Sequence, residues 1–351
     1  MSGPGADAYA AAGVDVAAAD RAVAALVGVL RTIDPGRPSR VVPLPGHYAS
    51  VLRLNDTLGL ALGTDGVGSK IVVAEQAGRY DTVGIDCIAM NVNDVVCVGA
   101  EPVAVLDYLA VEQADAEALA AIGRGLKAGA EDAGVEIPGG ELAVIPELIR
   151  GHPSPHGFDL CATCVGTVEL DAIVTGHDCV PGDALIGLPS SGLHSNGYTL
   201  ARRALEDLAL DDTPPELEGA SVADALLAPT VIYVRAVLDL LRSDVRVHGL
   251  AHITGGGLAN LRRLHDGVGW AISEPLPAPP VCTLVQRRGG IDDAEMWDVF
   301  NMGCGFVCVV EAEQADAATE ILAARHPGAR RVGTVTADAG RITAPGYDAT
   351  A

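Results

Sequence analysis

An α/β fold divided into two domains is what this sequence predicts, and three observations carry the prediction. The chain is 351 residues long, beyond an ordinary single domain, and 49% hydrophobic content is enough for two buried cores. Short apolar runs of strand length alternate with helix-length segments through both halves. A turn-rich patch over 176–183 separates the halves, so the boundary falls near Leu170, giving domains of 1–169 and 170–351.

In chain order, 51–54 and 58–62 read as strands around the turn Asn55-Asp56, and 81–98 reads as a helix. An alanine-rich helix over 114–133 stops at Gly134, and 158–168 is another strand. The second half opens with a strand over 184–188. Helices over 198–208 and 229–242 follow, then a strand ending at His252 and a late strand over 305–310. The small-residue tail over 344–351 is expected to be poorly ordered, and no strong repeat or low-complexity tract is evident.

Charge narrows the function classes. Forty-six acidic against 23 basic residues give −23, and only Lys70 and Lys127 are lysines. Such a surface repels nucleic-acid phosphates and anionic lipids, which argues against both as partners. It suits concentrated salt, where carboxylate repulsion is screened, so a halophilic source is expected. No apolar run reaches membrane-spanning length, and residues 1–8 lack a signal-peptide pattern, so a cytosolic protein is expected. Eight irregularly spaced cysteines read as reduced core residues; zinc or redox chemistry at Cys161-x-x-Cys164 is a minor alternative.

The chemistry concentrates in a few motifs. Gly63-Thr64-Asp65-Gly66-Val67-Gly68-Ser69-Lys70 joins a carboxylate to a glycine loop at the end of an apolar run. Glycines let backbone approach a polyphosphate, and a carboxylate between them can hold its magnesium. It is not a P-loop, because Ser69 precedes Lys70 where that pattern needs the reverse. Asp94, beside Asn93 in an otherwise apolar helix, needs a cation, a donor cluster or a ligand if buried. Glu141, after Pro138-Gly139-Gly140, is a third acid that a loop could bring to the same ion. Singly, each acid suits a cap or turn equally well; together they favour a metal site. In the second half, Ser190-Ser191-Gly192-Leu193-His194-Ser195-Asn196-Gly197 gathers hydroxyls, amides and an imidazole before a helix. His252-Ile253-Thr254-Gly255-Gly256-Gly257 repeats that logic and is the first choice for a ribonucleotide 5′-phosphate, although a loop histidine satisfied by backbone is an alternative for His194 and more so for His252.

These segments, with Tyr9 to Asp15, Leu227-Ala228-Pro229-Thr230 and Phe300-Asn301-Met302-Gly303, occur in one order that resembles phosphoribosylformylglycinamidine cyclo-ligase, the aminoimidazole ribonucleotide synthetase family. The resemblance covers nearly the whole chain. It implies an α/β (α+β type) two-domain homodimer, with an N-terminal sheet domain that pairs in the dimer and a C-terminal α/β domain. It further implies ATP-dependent closure of formylglycinamidine ribonucleotide to aminoimidazole ribonucleotide, with magnesium. Under it Asp65, Asp94 and Glu141 are metal ligands, and Gly63, Thr64, Asp65, Gly66, Gly68, Ser69, Asn93 and Gly140 bind the nucleotide. Ser191, Gly192, His194, Ser195, Asn196, Thr254, Gly255, Gly256 and Gly257 contact substrate, while His194, Lys70 and Asp94 are the catalytic candidates.

Two departures stand out. Where many bacterial members have a glycine-rich mobile segment, this chain reads Arg40-Val41-Val42-Pro43-Leu44-Pro45-Gly46-His47-Tyr48-Ala49, and Leu142-Ala143-Val144-Ile145-Pro146 replaces the familiar continuation after Glu141. Selenophosphate synthetase, which places a Cys or selenocysteine in its N-terminal loop, is a poor match because the first cysteine here is Cys87. Thiamine monophosphate kinase, the hydrogenase maturation dehydratase and formylglycinamidine synthetase share the architecture, and a catalytically silent nucleotide-binding module is the alternative from another class.

Overall fold

The computed structural model of the chain describes residues 16–350, so the Tyr9 to Asp15 part of the resemblance lies outside the described residues. Two sheets organise the chain. The first has six strands in the order β1-β2-β3-β6-β4-β5: β1 Val41–Val42, β2 Ser50–Arg53, β3 Leu58–Gly66, β4 Glu101–Val111, β5 Glu136–Val144 and β6 Phe158–Glu169. Only β4 and β5 pair in parallel. Helix α1 (Val16–Leu30) precedes this sheet, and α2 (Lys70–Ala77), α3 (Asp81–Val96) and α4 (Ala116–Ala133) follow β3 and β4.

α3 is buried because its sequence is apolar nearly all round, and Val95 fits against strand glycines Gly63 and Gly166. It crosses α4 at backbone contact, since a Cβ on Gly125 would sit 1.9 Å from the Asp81 carbonyl and one on Gly84 2.3 Å from the Leu126 amide. α4 begins at Asp115, whose side chain accepts from the Glu117 and Ala118 amides, and ends at Gly134 in the left-handed region.

The second sheet has seven strands, in the order β13-β12-β9-β11-β7-β10-β8. They are β7 Ala184–Pro189, β8 Val247–His252, β9 Gly269–Ile272, β10 Cys304–Val310, β11 Arg330–Thr336, β12 Arg341–Ala344 and β13 Tyr347–Thr350. Central β7 and β10 are almost wholly buried, as their continuous apolar runs require. The helices here are α5 Tyr198–Ala204, α6 Val222–Leu226, α7 Val234–Leu241, α8 Pro280–Gly289, α9 Asp293–Val299 and α10 Ala315–Ala323.

Several expectations change. The 344–350 tail is a hairpin of β12 and β13, pinned by Arg341 on Asp348, by the Tyr347 hydroxyl on Asp298 at 2.6 Å and by Trp297 Nε1 on the Pro345 carbonyl. β3 continues to Gly66 because β6 pairs with it as far as Cys161, so the first part of the glycine loop is strand. The expected 229–242 helix starts only at Val234, since the Thr230 amide is committed to Asp86 and the Pro229 carbonyl to Ser191. The expected 198–208 helix ends at Ala204. All eight cysteines are free thiols and all but Cys161 are buried, as expected of core residues. Among the described residues no helix is long and apolar enough to cross a membrane.

Candidate active site

The two halves meet along one face of α3. Asp86 and Asn93 lie seven residues apart, two helical turns, so they present to the same side, and both reach the segment before α7. Asn93 accepts from the Tyr233 amide at 2.9 Å and donates to the Val231 carbonyl at 2.9 Å. Asp86 accepts from the Thr230 amide and hydroxyl at 2.7 and 2.6 Å. Lys70, wholly buried, completes this tie. Its ammonium lies 2.8 Å from Asp86 and donates to the carbonyls of His194 at 3.1 Å and Ala228 at 2.7 Å. Three protons meet three partners, which leaves none for a phosphate, so Lys70 joins the halves instead of serving as the expected catalytic charge. Burial lowers its pKa and Asp86 opposes that shift.

Asp65 and Asp94 lie near enough for the charge of one to act on the other. Asn91 brackets the Asp65 backbone, accepting from its amide at 3.0 Å and donating to its carbonyl at 3.1 Å, and the Gly66 amide donates to the Asp65 carboxylate at 2.7 Å. Burial raises the Asp65 carboxyl above its ordinary range and the charge of Asp94 pushes the same way, against the Gly66 amide, His252 and Arg263. Asp94 Oδ1 is 2.8 Å from His252 Nδ1, and His252 Nε2 is 3.4 Å from the Asn93 amide nitrogen. Those partners fit the tautomer that carries its proton on Nδ1 and donates it to Asp94. His252, expected in a phosphate loop, is thus the C-terminal half's contact with the acid pair.

Glu141 is not part of this cluster. It lies on edge strand β5, and the register Asp65–Ala162–Asp107–Gly140 puts its neighbour three strands from Asp65, roughly 14 Å at about 4.8 Å per strand. Among the described residues no three His, Cys, Asp or Glu side chains converge on a metal position. The expected three-acid set therefore fails within one chain. Gly140 also has a local reason to be glycine, because a Cβ there would meet the Asp107 carboxylate at 2.3 Å.

The remaining predicted residues close around the acid pair's flank. Thr64 donates to the Ala162 carbonyl at 2.8 Å; Gly63 lies beneath Val95. Gly68 is left-handed beside the Ser195 carbonyl, and Ser69 Oγ is 3.4 Å from Thr199 Oγ1. Ser191 donates to the Pro229 carbonyl at 2.5 Å, Gly192 accepts from Asn301, and Ser195 Oγ lies 3.2 Å from Thr230 Oγ1. Asn196 packs on Gly255 and keeps a buried, unpartnered amide nitrogen. His194 turns its ring inward against Tyr233 and Gly305, accepting from the Ser191 amide through Nε2, and burial holds its pKa well below the ordinary histidine range. That orientation anchors the loop, with the ring of this catalytic candidate buried among Tyr233, Gly305 and the Ser191 amide.

Gly255, Gly256 and Gly257 open a helix over Gly257–Arg263, which is of the tighter 3-10 kind. Asn260 fastens the turn, donating to the Gly257 carbonyl at 2.8 Å and the Gly255 carbonyl at 3.1 Å, while Thr254 lies 3.4 Å from its side-chain oxygen. Gly256 and Gly257 both have positive φ, but only Gly257 is enclosed: a Cβ there would lie 1.9 Å from the Trp297 carbonyl. Gly257→Ala is expected to cost about 1–3 kcal/mol through overpacking, and Gly256→Ala less, from backbone strain alone. Equal urea midpoints for the two variants would contradict this ranking.

Asp86, Asn91, Thr230 and Arg263 escaped the motif reading as individual contacts. For Asp86 the signal was present: an aspartate in the apolar run of α3, on the face shared with Asn93.

Family profiles described as "AIR synthase related protein, N-terminal domain" and "AIR synthase related protein, C-terminal domain" match residues 46–168 and 180–344. A phosphoribosylformylglycinamidine cyclo-ligase of Methanothermobacter thermautotrophicus is 49% identical over 332 residues, covering 93% of this chain and 94% of that protein. One from Thermococcus gammatolerans is 48% identical, covering 90% and 91%. The crystal structure of hydrogenase maturation protein HypE in complex with ATP superposes with a TM-score of 0.59 at 23% identity, over 85% of this chain and 86% of that one, a likeness of fold. With both domains matched in order and near-half identity across almost its whole length, the chain belongs to the phosphoribosylformylglycinamidine cyclo-ligase family of enzymes.

Proposed function

We propose that this chain closes the imidazole ring of formylglycinamidine ribonucleotide at the expense of ATP, releasing aminoimidazole ribonucleotide, ADP and phosphate in purine biosynthesis. The formyl amide oxygen is a very poor leaving group. Transfer of the γ-phosphoryl of ATP to that oxygen makes an iminophosphate; the amidine-side nitrogen then attacks its carbon, and the C–O bond breaks as phosphate leaves. The observation that carries the proposal is the contact of His252, from the second sheet, with Asp94 of α3 at 2.8 Å, in the neighbourhood of Asp65.

Carboxylate oxygens are the ligands that a hard cation such as magnesium prefers, and Asp65 and Asp94 supply them at this junction. When bound, magnesium supplies charge neutralisation for the phosphoryl group. Asp65 and Asp94 would hold it, His252 keeps Asp94 oriented, and the loop from Gly66 to Ser69 lies beside Ser195 where the nucleotide phosphates would pass. Asn196 and the Gly255 turn are our choice for substrate contacts, because Asn196 has a buried amide nitrogen without a partner and packs its side chain against Gly255.

The homodimer is part of the proposal and is supported by Val103, Leu106, Tyr108, Leu142 and Val144, apolar side chains left exposed on β4 and β5 at one edge of the first sheet. A cytosolic setting accords with the pathway. The deciding experiment incubates purified chain in high salt with ATP, magnesium and formylglycinamidine ribonucleotide; aminoimidazole ribonucleotide should form, and ATP bound without any such product would reject the reading.

Salt supplies a separate test. A net charge of −23 on each chain opposes association at low ionic strength, whereas at 1 M salt the Debye length is only about 3 Å. Activity, melting temperature and dimer mass should rise together from tens of millimolar KCl towards molar. Unchanged light scattering and activity in dilute buffer would remove the halophilic reading and leave the reaction intact.

A further inference from the structure

A second cluster of polar groups lies outside the acid pair. The 44–47 loop, the 175–177 segment joining the two sheets and the end of the Gly257–Arg263 helix enclose a cleft of about 400 Å³. Arg262, Arg263, His47, His177 and His265 line it, and its one acid, Asp266, extends its carboxylate fully into solvent. In a chain with twice as many acidic as basic residues, this gathering of positive and donor groups runs against the composition.

Backbone contacts set what these rings present. The Tyr48 amide donates to His47 Nδ1 at 3.0 Å, and the Gly267 amide donates to His265 Nδ1 at 2.8 Å. A ring nitrogen that accepts carries no proton, so each neutral imidazole bears its proton on Nε2 and offers a donor. His47 Nε2 and Arg262 Nη2 are both buried without a hydrogen-bond partner, although Arg262 Nε is fixed on the Gly340 carbonyl at 3.2 Å. Arg263 is held over the Tyr48 ring at 4.9 Å. His177 and His265 meet edge to face at 5.8 Å. Arginine and histidine side chains with a single solvent-directed acid among them make a lining rich in donors and positive charge, which suits an acceptor with several oxygens and negative charge. A phosphate offers three oxygens in a tripod, which suits a cleft lined from three segments of the chain, where a carboxylate offers two in a plane.

We propose that this cleft is a binding site for the phosphate group of a phosphate monoester. The proposal does not rest on the cyclisation reaction. Its source is either the 5′-phosphate of the substrate or a separate phosphate compound, and the two are separable by competition.

The test is calorimetric titration of the full chain with inorganic phosphate and with ribose 5-phosphate at fixed KCl. Saturable binding of one phosphate per chain is expected, weakened at least about 10-fold by Arg263→Gln combined with His265→Gln. His177→Glu, at an exposed position, places a carboxylate in the cleft and should weaken binding similarly without disturbing the core; unchanged melting curves identify variants that fold. Absence of phosphate binding by the wild-type chain, or equal affinity in folded His177→Glu, overturns the proposal. Displacement of phosphate by formylglycinamidine ribonucleotide assigns the cleft to substrate, and simultaneous binding assigns it to another monoester. A turnover assay on the wild-type chain fails independently if the cyclisation reading is wrong.

Discussion

Lys70→Met is expected to destabilise the chain by about 3–5 kcal/mol, because it leaves the Asp86 carboxylate buried without its cation. Both side chains are fully enclosed, and three segments depend on them: the start of α2, the loop at His194 and the turn at Ala228 to Thr230. The chain contains its own control. Lys127, the other lysine, pairs with Glu131 one turn along the exposed face of α4, and Lys127→Met should cost no more than about 0.5 kcal/mol. The paired substitution Lys70→Met with Asp86→Leu should recover much of the loss, since the penalty comes mainly from the unpartnered charge. Urea midpoints measured in one KCl concentration would settle the ranking. Similar losses for the two lysine variants would mean that Lys70 does not tie the halves together.

This tie marks the limit of what the sequence disclosed. The alternation of strands and helices and the stop at Gly134 were legible because periodicity and turn residues act locally. β4 was not, since Glu101-Pro102 opens it and Asp107 and Tyr108 interrupt its apolar run; its status depends on β6 pairing along its length. The C-terminal hairpin was missed for a related reason: its small residues are held by Asp298, Trp297 and Arg341, which no local pattern connects to them. In the candidate site, Asp65 and Asp94 stood out because a carboxylate among apolar or glycine neighbours requires compensation. Their number of companions was overestimated, because a loop was assumed at Glu141 where the chain continues as an edge strand. Partner identity was the least legible quantity. That His252 would meet Asp94, and that Lys70 would meet Asp86, depends on how two sheets dock, a property of the assembled core.

For the acid pair itself, Asp65→Asn and Asp94→Asn are each expected to lower turnover by about 10²–10³-fold, the loss typical of removing one electrostatic contact to charge in a transition state. Their effects on stability should differ, and the difference separates chemistry from folding. The Asp65 pKa lies above its usual 3.8, chiefly through burial and then through Asp94, so the folded chain favours the protonated carboxyl. Stability from that preference is present at acid pH and is lost as pH rises through the raised value. At neutral pH the ionised Asp65 is therefore a burden on the fold, and Asp65→Asn should melt no lower than wild type, with its relative advantage growing from pH 4 to pH 7. Asp94→Asn replaces a charged acceptor for His252 with a neutral one and should melt slightly lower. Activity lost while Asp65→Asn holds or gains stability is the signature of a carboxylate retained for its charge. Wild-type turnover in either variant at saturating magnesium would refute the assignment of the pair, whatever the melting curves show.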